Sequence, residues 1–146
     1  GMAFAKKQKK ESGNIYVLMS DGECQEGTTW ESLLIAAKHK LDNLIVLVDY
    51  NKIQALSKIN DVLPLHNLSA KFKSFNWNCR EVKNGHSFSL LIASIKKKNK
   101  SKKPLVLILH TIKGKGIKKF ENDPVWHARK LQGYEIEIGK KQLGIK

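Results

Sequence analysis

Four short runs along the 146-residue chain have the length and residue types of strands, and the segments between them repeat their apolar residues at helical spacing. Ile15–Met19, Leu44–Val48 and Leu105–Leu109 are continuously apolar, as expected of strands covered on both faces. Trp77–Val82 alternates more weakly and makes a fourth strand. The opening residues to Lys10 suit the last turns of a helix, which Ser12-Gly13-Asn14 stops. Trp30, Leu33, Leu34, Ala37 and Leu41 form a core-facing helical stripe, and Thr28 with Glu31 has the pattern of a capping box at its start. Leu68, Phe72 and Phe75 share one face of a short helix. Ser87 can cap a further helix presenting Phe88, Leu91, Ile92 and Ile95. Beyond residue 130 the chain is polar and shows no clear period. The order β-α-β-α-β-α-β predicts an α/β fold, a parallel four-stranded sheet with helices on both faces.

A strand–helix–strand unit from Ile15 to Val48 must return the chain parallel to itself. Its two strand ends, Ser20-Asp21-Gly22 and Asp49-Tyr50-Asn51, therefore share the sheet edge where open α/β sheets bind ligands. Asp21 and Asn51 can offer a carboxylate and an amide oxygen to Mg²⁺ or Ca²⁺, with positions left for phosphate and water. They serve equally well as a loop cap and a turn residue, and pattern alone leaves both readings open. Gly22 and Gly27 fit close backbone approach to a phosphate or plain turn geometry. Glu23 and Glu26 would repel a phosphate, so they face the next helix start or point away toward a partner. Lys113-Gly114-Lys115-Gly116, after the Leu105–Leu109 run, is a source of positive charge or a solvated basic turn. His127, beside Trp126, lies in a plausible ligand-side loop.

Charge alters the picture less than its size suggests. The chain carries 27 basic and 13 acidic residues, a formal net charge of +14. Apart from Arg80 and Arg129 every basic residue is lysine, gathered in runs such as Lys96–Lys103. Base readout favours arginine forks and single-strand binding favours interleaved aromatics, so a solvated lysine-rich surface is expected rather than a nucleic-acid interface. Cys24 and Cys79 have no metal-ligand spacing and are expected to be reduced thiols. The apolar runs are too short to span a bilayer and no leader is visible, so a cytoplasmic protein without membrane contact is expected.

Ser-Asp-Gly-Glu-Cys-Gln-Glu-Gly-Thr-Thr-Trp-Glu from residue 20, Lys40 to Ile45, Val48-Asp-Tyr-Asn51, Lys113-Gly-Lys-Gly and Trp126-His127 occur in that order. Together they resemble the thiamine-diphosphate-binding domain of transketolases over residues 1–130, leaving 131–146 as a polar tail. The resemblance implies a thiamine-diphosphate-binding, Rossmann-like fold, here expected to be incomplete, since the family has a long upstream segment. It implies thiamine diphosphate and Mg²⁺ (or Ca²⁺) as cofactors. The metal ligands it implies are Asp21, the Asn51 side chain and the Ile53 carbonyl. Gly22 would donate its amide to the diphosphate, with Glu23 and Lys113 also at the cofactor. The catalytic residues it implies are His127, at the thiazolium and sugar, and Glu26, at a subunit interface, where it would orient the carboxylate that a second domain aims at the aminopyrimidine. Ser20 departs from the family's Gly-Asp-Gly, and Ala128 from the glycine after Trp-His. The implied activity is two-carbon ketol transfer between sugar phosphates. The implied partner is a pyrimidine-binding domain or subunit, and the implied assembly a homo-oligomer. The glutamate that draws the cofactor's proton belongs to that partner domain, so this chain is not expected to be active alone. The alternative is a non-catalytic remnant or interaction domain that keeps the fold.

Overall fold

A computed structural model of the protein describes residues 1–145. The strands are β1 (Ile15–Ser20), β2 (Leu44–Tyr50), β3 (Asn78–Val82) and β4 (Leu105–His110). The helices are α1 (Met2–Gln8), α2 (Gly27–Lys38), α3 (Ile59–Val62), α4 (Leu68–Ser74), α5 (Phe88–Lys96) and α6 (Gly133–Leu143). All four strands are parallel, in the order β1-β2-β4-β3. β4 is buried from Leu105 to Leu109, as its unbroken apolar run requires. On one face α2 and α4 bring Leu33, Ala36, Leu68 and Phe72 onto Val46, Val48, Val106 and Ile108. On the other, Leu91 and Ile95 of α5 pack on Ile45, Leu105, Leu107 and Leu109. Each Val, Leu, Ile or Phe among them that is fully withdrawn from water stabilises the fold by about 1.5–3 kcal/mol.

The four strands and the parallel sheet agree with the sequence pattern; several details do not, among them Phe88 and Ile92 of α5, which are 81% and 49% exposed where the helical face is expected to be covered. β1 is not covered on both faces. It is an edge strand, with Tyr16, Val17 and Leu18 exposed, Leu18 at 73%. The α2 stripe is rotated, so Leu33 and Ala36 are buried while Leu34 is 59% exposed. The Thr28–Glu31 capping box does not form. A 3₁₀ turn over Gly22–Gln25 runs straight into α2, Glu26 becomes the N-cap, and no side chain caps it. The Thr29 hydroxyl instead donates to the Glu23 carbonyl at 2.7 Å. A capping box does form at α6, between Gln132 and Glu135, in the tail where no element is expected.

An apolar parallel edge strand is a template for further pairing. The isolated chain is therefore expected to self-associate, and Leu18→Lys to reduce that association. Sedimentation velocity over a hundredfold concentration range checks it; a monomer throughout contradicts it.

Both arginines are engaged internally. Arg80 donates to the carbonyls of Ser94 (2.8 Å), Lys97 (2.7 Å) and Lys98 (3.2 Å), closing the carbonyl end of α5. Arg129 pairs with Glu135 at 2.6 Å. Neither guanidinium is left as a fork for a base or a phosphate, which supports the solvated-lysine reading of the charge. No helix among the described residues is long and apolar enough to cross a membrane.

Candidate functional site

Parallel pairing places Ser20 beside Asp49 and Tyr50 beside His110, so the ends of β1, β2 and β4 meet at one edge. Asp21 follows β1 directly and is 1% exposed. Its Oδ2 accepts from the Lys52 amide at 2.5 Å, which the left-handed backbone of Lys52 (φ +68°) turns toward it. Its Oδ1 is buried with no hydrogen-bond partner. Burial, with a smaller contribution from the Asp49 charge, pushes the Asp21 carboxyl up to about 6. A buried carboxylate oxygen lacking a donor is a costly arrangement, and a cation is the group that offsets it.

The Asn51 Nδ2 donates to Asp49 Oδ2 at 3.2 Å, and its Oδ1 accepts from the Ile53 amide at 3.0 Å. Asp49 Oδ1 also accepts from the Thr111 hydroxyl. Ile53 is buried and faces Lys58 across an isolated antiparallel bridge. The bridge is closed by the neighbouring groups, Gln54 N to Ser57 O and Ile59 N to Lys52 O, which leaves the Ile53 carbonyl unclaimed by it.

Gly22 opens the 3₁₀ turn beside this cluster. A Cβ built there would make only ordinary contacts, 3.6 Å from Gln54 Cβ and from Ser20 Oγ, so the protein's own packing does not require glycine. Gln54 Nε2 is a buried donor without an acceptor. Next to Gly22, then, stand an orphaned anionic acceptor and an orphaned donor, the complement of a cation carried by an oxyanion. Gln54 has no motif to announce it and is missed by sequence; only its burial reveals it.

The remaining candidates separate into two groups. Glu23 is turned back on the loop: its Oε2 accepts from the Ser20 amide at 2.6 Å while its own amide donates to Ser20 Oγ at 3.3 Å. Ser20 thus fills a bracing role that a glycine could not. Glu26 is exposed at the N-cap of α2. Lys113 is half-buried after β4, and its carbonyl accepts from the Asn122 amide at 3.0 Å. Asn122 joins Asn51, Lys52 and Ile53 in lining a cavity of about 370 Å³, so the loop after β4 reaches the segment that follows β2. His127 is exposed at the end of a 3₁₀ turn, Pro124–His127. Among the other histidines, His86 Nε2 accepts from the Ile112 amide at 2.8 Å and His110 meets Glu81 at 3.1 Å.

α6 clamps the loop that carries His127. Arg129 lies over the Trp126 ring at 4.2 Å and pairs with Glu135, which also accepts from the Gln132 amide at 2.9 Å. The Arg129 guanidinium, ahead of that amide bond, holds the Glu135 carboxyl below the usual carboxylate range. A depressed carboxyl stabilises fully above its unfolded value, here 4.5, and loses that contribution as pH falls through the lower folded value. Trp126 fluorescence is therefore expected to change during acidification below about 4.5 in the wild type. In Glu135→Gln the change should already be present at neutral pH. Matching acid profiles for the two proteins would refute the clamp.

The family model for the transketolase, thiamine diphosphate binding domain matches residues 3–146. The chain belongs to the transketolase family. It is similar to one subunit of the apulose-4-phosphate transketolase of Actinobacillus succinogenes, 36% identical over 143 residues, 98% of this chain and 51% of that protein. It is also similar to a 6-deoxy-6-sulfo-D-fructose transketolase subunit of a Clostridium species, 33% identical over 90% of this chain and 48% of that one. The chain thus spans about half the length of these two curated relatives. Among solved structures, Campylobacter jejuni transketolase superposes with a TM-score of 0.87 at 29% identity, covering 99% of this chain and 23% of that one. A Pichia stipitis transketolase structure, in complex with sedoheptulose-7-phosphate, gives 0.90 at 25%, covering 99% and 23%. The match extends through the tail, so α6 falls within the family's domain model.

Proposed function

We propose that this transketolase-family chain holds the diphosphate end of thiamine diphosphate through a divalent cation, Mg²⁺ or Ca²⁺. Asp21, the Asn51 amide oxygen and the Ile53 carbonyl would be the protein ligands. The observation that carries this reading is the buried, partnerless Oδ1 of Asp21, on a carboxylate whose other oxygen is bonded to the Lys52 amide between Asn51 and Ile53. Gly22 and Gln54 would donate to the diphosphate, and Lys113 would add positive charge to the same loop cluster. His127, on its clamped loop, would face the sugar. When bound, the cofactor supplies the carbanion chemistry. This chain's part is to orient the diphosphate and neutralise its charge.

The reaction proposed for the complete enzyme is two-carbon ketol transfer between sugar phosphates, with a pyrimidine-binding domain supplied by another segment or another chain. Two relatives that match over about half their length are named as subunits, which supports a divided enzyme. Glu26, exposed at the start of α2, would be the residue that meets that partner. Calorimetric titration of the folded chain with thiamine diphosphate in the presence of Mg²⁺ tests the proposal. Saturable heat that disappears in EDTA is expected; no heat from protein shown to be folded would refute it.

A further inference from the structure

Asn51 can meet a cation only through its carbonyl oxygen, yet a side-chain amide has two ends of nearly equal shape and opposite chemistry. Something must hold the oxygen, not the NH₂, toward the ligand side. Two groups behind the amide do so. Asp49 Oδ2 accepts from Asn51 Nδ2 at 3.2 Å, and an ionised carboxylate can only accept. A flipped Asn51 would set oxygen against oxygen there, and would also lose the Ile53 amide at 3.0 Å. Asp49 is itself held by the Thr111 hydroxyl on its other oxygen. The Thr111 amide donates to the Tyr50 carbonyl at 3.3 Å, so the backbone of β2 sets where that hydroxyl stands.

The turn after β3 closes on Thr111 from behind. A Cβ at Gly85 would come within 2.6 Å of Thr111 Cγ2 and 3.1 Å of the His110 carbonyl oxygen. The Gly85 amide donates to that same carbonyl at 2.8 Å, and His86 takes the Ile112 amide on the far side of Thr111. Residues on both sides of the threonine are thereby pinned by one turn. We propose that Thr111 and Asp49, backed by Gly85, are positioning residues that set the amide of Asn51 with its oxygen toward a divalent cation. They connect the turn after β3, which contributes none of the proposed ligands, to the ligand cluster. The inference rests on the cation reading given above.

Thr111→Val keeps the shape and removes the donor, while Thr111→Ser keeps the donor. In Mg²⁺–thiamine diphosphate calorimetry on the whole chain, Thr111→Val is expected to bind about tenfold more weakly, the usual effect of losing one hydrogen bond to a charged group. Thr111→Ser is expected to restore most of that affinity, and Gly85→Ala to resemble Thr111→Val. Equal affinities for wild type, Thr111→Val and Thr111→Ser would overturn the inference and leave the cation site standing. A second readout needs no ligand. In ¹H–¹⁵N spectra the Asn51 side-chain amide should show one proton shifted by its carboxylate acceptor, and the shift should be lost in Asp49→Ala and changed in Thr111→Val. If the wild type binds no cation–cofactor complex, the proposed function fails. The inference, which rests on it, then falls with it; a wild type that binds while its Asn51 amide ignores both substitutions overturns the relay alone.

Discussion

Asp21→Asn is expected to abolish cation-dependent binding of thiamine diphosphate and, in the same protein, to raise the melting temperature of the metal-free chain. The two effects share one cause. Asp21 is 1% exposed, its Oδ1 has no donor, and burial raises its carboxyl from an ordinary 3.8 to about 6. With the folded value above the unfolded one, the native chain holds the proton more tightly. The Asp21 contribution to stability without metal is therefore largest below 3.8, falls as pH rises toward about 6, and stays at the lower level above it. An asparagine accepts from the Lys52 amide as before; its Nδ2 lacks an acceptor, but removing the buried charge outweighs that, so at neutral pH it should gain about 1 kcal/mol. It should also flatten the pH dependence between those values. Saturating Mg²⁺ and cofactor should reverse the ranking, because a ligand bound only by the native wild type stabilises only the wild type. Thermal melts at several pH values, with and without Mg²⁺ and cofactor, check all of this. An Asp21→Asn chain that is less stable than wild type without metal, or equally stabilised with it, would contradict the assignment.

Gly114→Ala is expected to dismantle the loop after β4 while leaving the sheet intact. Gly114 has φ +74°, a region costly for any side chain. Its Cβ would stand 2.3 Å from the Phe120 carbonyl oxygen and 2.7 Å from the carbonyl carbon, and backbone atoms cannot swing aside as a flexible side chain can. Phe120 cannot retreat either, since it is buried and packs on Trp126 with ring centroids 4.2 Å apart. The loop must give way, breaking the Asn122–Lys113 hydrogen bond, at a cost of about 2 kcal/mol or more. Cofactor affinity should fall with it, through displacement of Lys113 and Asn122. Hydrogen exchange localises the damage: faster exchange over residues 112–127 and unchanged protection in β4. An undisturbed loop with unchanged affinity would show that the contact with Phe120 is not a constraint.

How much of the fold and site is legible in the sequence follows from what each residue type reveals. Continuous runs such as Leu105–Leu109 mark parallel strands by their length and bounds, yet the equally apolar Ile15–Met19 run forms an exposed edge strand, so a run reveals the strand and not its cover. The α2 stripe misleads because spacing weighs large residues most. Leu34 satisfies i+4 from Trp30, yet the direction of the helix buries the small Ala36 instead. The α6 helix is invisible because its buried positions include Glu135 and Gly139, which carry no apolar period. Asp21 and Asn51 can be placed at one sheet edge from strand order alone. Asp49, Thr111, Gln54 and Asn122 cannot be given roles, since their significance lies in partners distant in sequence and in atoms left unpaired by burial.

The strand order β1-β2-β4-β3 also says when the site comes into being. β1 and β2 are joined by a single helix and can pair as soon as residue 50 exists. β3, made next, has no partner among the strands already formed, because among the described residues its only neighbour is β4. β4, made after β2 and β3, must therefore enter between two older strands, and long-range parallel pairing of this kind is a slow class of folding step. Thr111 reaches Asp49 only with that insertion. During synthesis, Asp21 and Asn51 would be in place on a half-built sheet well before the threonine that completes their surroundings has been added, so ligand binding should mature in one late event. Refolding followed by β4 exchange protection and by cofactor binding should give the same rate constant.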